Sequence, residues 1–157
     1  YQCDWSSDVC SSDLNGRERQ AITKGNFDII DFYGYDPVRK LFYYSSYEES
    51  PLEKYIYSIN EKGLKKKLTP VKGWNEASFS KNFNYYINVV SNTDTPPVTA
   101  LYNAKGKQVR VLEDNKAVKE AVKAYNLAKP EFIQIPAADG KTMLNAWIMK
   151  PAKNIRC

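Results

Sequence analysis

The fold of this chain is decided by two short stretches of its sequence, Asn60-Glu61-Lys62-Gly63 and Asn103-Ala104-Lys105-Gly106. Each places Gly three residues after Asn, between two runs of strand-like composition, which is typical of a hairpin turn ending in a positive φ. The two glycines lie about 43 residues apart, and the tyrosine pairs Tyr43-Tyr44 and Tyr85-Tyr86 lie about 42 residues apart. The same hairpin therefore occurs twice at a nearly constant spacing.

Around these turns the sequence predicts eight short strands separated by turn residues, with clear alternation in the second set. The first set comprises Ile29–Tyr35, Leu41–Ser46, Lys54–Asn60 and Lys65–Thr69. The second set comprises Glu76–Phe79, Asn84–Ser91, Thr99–Asn103 and Gln108–Leu112. In the second set one predicted face carries Phe83, Tyr85, Ile87 and Val89, and the other carries Asn84, Tyr86 and Asn88.

A repeat of roughly 40–50 residues with four strands per unit predicts β-propeller blades. Because blades bury their faces against neighbouring blades, two of them alone would leave large apolar faces uncovered. The alternative is one small sandwich or barrel built from all eight strands. The repetition of the four-strand unit favours the blades.

The composition changes after Glu113-Asp114-Asn115. Apolar residues then follow helical spacing, so residues 115–130 are predicted to form a short connecting helix, capped by Asp114 or Asn115 and limited by Pro130. Two further runs, Glu131–Ile135 and Met143–Met149, predict a hairpin about Asp139-Gly140. The predicted organisation is thus a propeller part at 15–114, a connecting helix at 115–130 and the start of another domain at 131–157.

Residues 1–14 lack helical or strand periodicity and repeat Ser-Ser-Asp. Asp4–Leu14 back-translates into a common sequencing-adapter oligonucleotide, so we expect residues 1–14 to be translated adapter joined to a shortened gene, outside fold reasoning. Cys10 lies inside Asp4–Leu14, Cys3 borders that segment and Cys157 is the last residue. No functional role is therefore predicted for the cysteines.

The sequence contains no His, which excludes a Ser-His-Asp triad, a Cys-His pair and a His-containing metal site within these residues. The net charge of +5 is a mild excess, concentrated in Lys65-Lys66-Lys67. Because Arg is scarce and no recognition motif accompanies the lysines, a solvated hairpin edge is favoured over a nucleic-acid surface. No apolar run approaches the roughly twenty residues of a membrane-spanning helix.

Four groups of side chains are candidates for binding, metal or catalytic sites, and each has an ordinary structural explanation. The paired carboxylates Glu48-Glu49 are predicted to be solvated turn residues rather than a binding site for an ammonium group. The acidic series Asp28, Asp31 and Asp36 lacks a Gly-containing loop for calcium, and its odd spacing sends side chains to opposite strand faces. The aromatic pair Trp74 and Trp147 is predicted to fill a blade seam and the hairpin, respectively. The hydroxyls of Ser78 and Ser80 lack a Gly-flanked elbow and a base. No catalytic, cofactor-binding or metal-binding residue is predicted.

Several segments resemble the dipeptidyl peptidase IV group of the prolyl oligopeptidase (S9) family of serine peptidases. They are Ile22-Thr23-Lys24-Gly25, Ser50-Pro51-Leu52-Glu53, Gly63-Leu64-Lys65-Lys66, Ser78-Phe79-Ser80-Lys81, Asn84-Tyr85-Tyr86 and Val111-Leu112-Glu113-Asp114-Asn115. The resemblance extends over about Ala21 to Asn154, and Ile155-Arg156-Cys157 departs from it. It implies the last two blades of an eight-bladed propeller, a connecting helix and the opening hairpin of an α/β-hydrolase domain.

The resemblance implies a parent enzyme that releases N-terminal dipeptides with Pro or Ala in second position. The nucleophile, the triad acid and the triad base would then lie beyond Cys157, and the ammonium-binding glutamates before Ala21, so this piece alone is expected to be inactive. Peptide substrates, export from the cytoplasm and a homodimer of the parent are implied in the same way. The alternatives from other classes are a non-catalytic propeller scaffold and a solute-binding or sensor propeller.

Overall fold

The computed structural model describes residues 10–12, 19–125 and 127–150. Within them it contains twelve strands and one helix. The strands are β1 (Cys10–Ser12), β2 (Arg19–Ala21), β3 (Ile29–Asp36), β4 (Leu41–Ser46), β5 (Tyr55–Asn60), β6 (Lys65–Lys67), β7 (Trp74–Phe79), β8 (Tyr85–Asn92), β9 (Thr95–Asn103), β10 (Gln108–Glu113), β11 (Pro130–Pro136) and β12 (Met143–Met149). The helix is α1 (Lys116–Ala124).

The repeat forms two separate antiparallel sheets of four strands each. Strands β3-β4-β5-β6 form the first sheet, and β7-β8-β9-β10 form the second, in both cases with sequential neighbours paired. This meander with short connections is the architecture of a propeller blade, so the fold-class prediction is confirmed and the single barrel is excluded. We call the two sheets the first blade and the second blade.

The two blades pack against each other through one aromatic cluster. The first blade contributes Tyr43, Ile56 and Leu68, and the second contributes Tyr86, Ala100 and Tyr102, all of them buried. The Tyr86 and Tyr102 rings stack with centroids 5.2 Å apart, and Phe79 lies 5.0 Å from Tyr86. Aromatic pairs at such distances stabilise beyond the area that they bury.

The other face of the first blade carries a second cluster. The segment that precedes β3 crosses this face, and Ile22 packs there with tyrosines of β4 and β5. The buried members of this cluster are Ile22, Tyr44, Tyr55, Tyr57 and Ile59. Both faces of the first blade are therefore covered by residues of this chain.

The outward face of the second blade is more open. The alternation predicted within β8 is confirmed, and only Phe83, which lies before the strand, departs from it. Tyr86, Asn88 and Val90 are buried, whereas Tyr85 is 50% exposed. Phe83 does not share the face of Tyr85, because it has a positive φ in the turn before β8 and stacks on Tyr43 with centroids 5.0 Å apart. The turn conformation reverses the direction of Phe83 before the strand begins.

Strand boundaries differ from the predictions by a few residues. Strands β4 and β12 have the predicted bounds, whereas β9 begins at Thr95, before Pro96-Pro97. Within the predicted adapter stretch 1–14, Cys10–Ser12 pairs with Arg19–Ala21. That its codons derive from an adapter stays a prediction.

The chain divides into two compact units, one with residues 1–92 and 97–114 and the other with residues 93–96 and 115–157. In the second unit, α1 is shorter than predicted, and Asn115 occupies the N-cap position in a left-handed conformation without a side-chain cap hydrogen bond. Strands β11 and β12 form the predicted hairpin with Pro130 opposite Met149. Within the described residues, no helix has the length and apolar character to cross a bilayer.

Candidate functional site

The most elaborate polar arrangement centres on Lys54, immediately before β5. Its side chain is only 6% exposed, and its Nζ lies 3.0 Å from Asp31 Oδ2 and 3.9 Å from Glu76 Oε1. The ammonium also lies 5.0 Å from the centroid of the Trp74 ring, within the range of a cation–π contact. A buried lysine of the first blade is thus held by carboxylates from both blades.

The Asp31 carboxylate is further fixed from its own sheet. Ser45 Oγ donates to Asp31 Oδ2 at 2.8 Å, and Tyr33 Oη donates to the same oxygen at 3.4 Å. Partial burial alone would raise the pKa of Asp31, but hydrogen bonds from Ser45 and Lys54 outweigh it and hold that pKa below its usual value. Burial raises the pKa of Tyr33 to about 12. Asp31 therefore stays ionised and Tyr33 stays neutral near neutral pH, which suits a structural role better than proton transfer.

The backbone around Lys54 is joined to the second blade as well. Lys54 N donates to Gly73 O, and Asn75 N donates to Lys54 O, both at 3.1 Å. The Asn75 side-chain amide donates to Lys54 O at 2.9 Å and accepts from Asn88 Nδ2 at 2.9 Å. We call Lys54, Asp31, Asn75 and Asn88 the seam network. This network was not predicted from the sequence, where the available signal was an asparagine within each of two strand-like runs.

Glu48 and Glu49 are not the solvated pair that was expected. Glu48, whose side chain is 8% exposed, pairs with Lys65 and accepts hydrogen bonds from Tyr44 and Ser46. Glu49, 46% exposed, lies 2.7 Å from Lys67 Nζ and accepts from Tyr57 Oη. Each carboxylate therefore already holds an ammonium group of this chain.

The lysine run is exposed at Lys65 and Lys66, as expected, but all three side chains also have partners within this chain. Lys65 and Lys67 lie over aromatic rings, with Lys67 Nζ 3.3 Å from the Tyr55 centroid and Lys65 Nζ 5.4 Å from that of Tyr57. Lys66 points to the opposite face, where Nζ donates to Lys105 O at 2.8 Å. Alternation along β6 thus directs two lysines to one cluster and the third to the second blade.

The acidic series does not converge on a metal position. Asp31 bonds to Lys54, whereas Asp36 bonds to Arg39 at 2.6 Å and to the backbone N–H groups of Val38 and Arg39. Among the residues that the structure describes, no group of three or more His, Cys, Asp or Glu is placed to hold a metal ion.

The remaining candidates occupy structural positions. Ser80 Oγ lies 2.9 Å from Asn82 Oδ1 and 3.0 Å from Tyr85 O within the turn before β8, and Ser78 is exposed in β7. Trp74 lies at the blade seam, where its Nε1 donates to Glu76 at 3.1 Å. Trp147 is 64% exposed, since a two-stranded hairpin covers its side chains poorly, so the expectation that it fills the hairpin was wrong.

Two four-stranded antiparallel sheets packed through aromatic faces, with a polar seam between them, define a pair of propeller blades. Residues 6–97 match the family model described as "Dipeptidyl peptidase IV (DPP IV) N-terminal region". The chain belongs to this family.

Relatives and solved structures agree with this assignment. The chain is 29% identical over 135 residues to a probable dipeptidyl peptidase 4 of Aspergillus flavus, covering 83% of this chain and 17% of that protein. It is 28% identical over 137 residues to dipeptidyl peptidase 4 of Trichophyton rubrum, with the same coverage. The crystal structure of Porphyromonas gingivalis dipeptidyl peptidase 4 matches with a TM-score of 0.86 and 41% identity, over 92% of this chain and 20% of that one. The chain thus spans about a fifth or less of the length of these relatives.

Proposed function

We propose that this chain is part of a serine exopeptidase of the dipeptidyl peptidase IV type, which releases N-terminal dipeptides with Pro or Ala in second position. The observation that carries the proposal is the match to the Porphyromonas gingivalis enzyme, at a TM-score of 0.86 and 41% identity. The family model, which covers residues 6–97, supports it independently.

In this proposal the two blades are scaffold rather than catalyst. The seam network and the Lys65–Glu48 pair fix the blades, and the hairpin β11–β12 opens the hydrolase domain. The sequence holds no His, so this chain cannot supply the base of a Ser-His-Asp triad. We further propose peptide substrates for the parent protein, export from the cytoplasm and a homodimeric parent.

The test compares the purified chain with the complete gene product on an Xaa-Pro chromogenic substrate. The complete product is expected to release the chromophore, and the 157-residue chain is expected to release none. Loss of activity on replacing the Ser of a downstream Gly-Xaa-Ser-Xaa-Gly segment would identify the nucleophile. A complete product without such a segment and without turnover would favour a non-catalytic scaffold instead.

A further inference from the structure

We draw no further inference here: the strongest candidate, the exposed patch around Tyr85 and Ile87 on the outward face of the second blade, is a face of the kind that a neighbouring blade covers in a propeller, so it belongs to the fold already described, and nothing in the described part of the chain shows what else would cover it.

Discussion

The ammonium group of Lys54 lies 3.0 Å from Asp31 Oδ2, yet the two partners are unequally buried, with side chains 6% and 44% exposed. The carboxylate can turn to water if its partner is lost, whereas the ammonium cannot. Removing one partner of a buried pair costs most when the group left behind is the buried one.

We therefore expect Asp31→Asn to lower the free energy of unfolding by about 2 kcal/mol, because it leaves the buried Lys54 with only the more distant Glu76. Lys54→Met keeps an unbranched chain in the same space and leaves a hydrated Asp31, so a loss below about 1 kcal/mol is expected. Urea denaturation measures both losses. A larger loss for Lys54→Met than for Asp31→Asn would contradict this account.

The fall in the free energy of unfolding at acid pH should depend on Asp36. Burial alone raises the pKa of Asp36, but hydrogen bonds from the Arg39 side chain and from backbone N–H groups outweigh it and lower the pKa below 3.8. A lowered folded pKa means that the stabilisation is complete above the unfolded value, about 3.9, and is lost as the pH falls through the folded value.

Accordingly, Asp36→Asn should be less stable than the parent chain at pH 7, by about 1–2 kcal/mol, and the difference should shrink below about pH 4. Urea denaturation at pH 7 and at pH 3 measures this. Asp28→Asn, at an exposed position, should change the free energy of unfolding little. A difference for Asp36→Asn that stays constant between the two pH values would be inconsistent with the ion pair.

The two repeated turns provide a matched pair of glycines. Gly63 and Gly106 share a φ of +80°, where a side chain is strained. A Cβ at Gly63 would meet only Ile22 O, at 3.7 Å, whereas at Gly106 it would lie 2.9 Å from Leu68 O and 3.3 Å from Leu68 Cα.

Gly63→Ala is therefore expected to cost about 1 kcal/mol, from the left-handed conformation alone. Gly106→Ala should cost at least about 1 kcal/mol more, because the backbone of Leu68 must move. Thermal or urea unfolding of the two variants compares them directly. Equal losses of stability for the two variants would mean that the Leu68 backbone moves away from the new Cβ without cost.

Glu48 and Glu49 should differ in how much stability is lost when each side chain is removed. Glu48→Ala removes the acceptor of the buried Tyr44 and Ser46 hydroxyls, so a loss of about 2 kcal/mol is expected. Lys65, whose side chain is 38% exposed, can turn to water. Glu49→Ala removes a largely exposed pair and should cost less than about 1 kcal/mol. Adding salt should reduce the smaller loss more than the larger one. Unfolding measurements that rank Glu49→Ala as the more damaging change would refute this account of Glu48.

Sequence patterns predicted the blades because strand-like runs are separated by turn residues and the last hairpin of each blade carries a Gly, and both signals are local. The contacts of Lys65 with Glu48 and of Lys67 with Glu49 could not be predicted, since 17 and 18 residues separate the partners. Composition records the charge of this run but not the aromatic faces of Tyr57 and Tyr55, over which Lys65 and Lys67 lie.

The strand face predicted for the Phe83 side chain was wrong for a related reason. Alternation assumes extended backbone throughout, and a single residue with φ of 53° reverses the face. The seam network was missed because it needs both sheets at once: Asn75 and Asn88 are unremarkable within one strand and acquire their role only when Lys54 approaches from the other blade. Local patterns thus gave the strands, whereas polar contacts across the seam required the tertiary structure.

Asn75 also constrains how the two sheets can be aligned. Its amide faces the carbonyl groups of Lys54, Val71 and Gly73 on one side and Asn88 on the other. Of these partners only Lys54 belongs to the first blade, so sliding one sheet past the other by one residue would break the hydrogen bonds from Asn75 to Lys54 O and leave that buried carbonyl without them. Apolar aromatic surfaces can pack at many offsets because their contacts are not directional. The hydrogen bonds of the Asn75 amide are directional, so they fix one alignment of the two sheets.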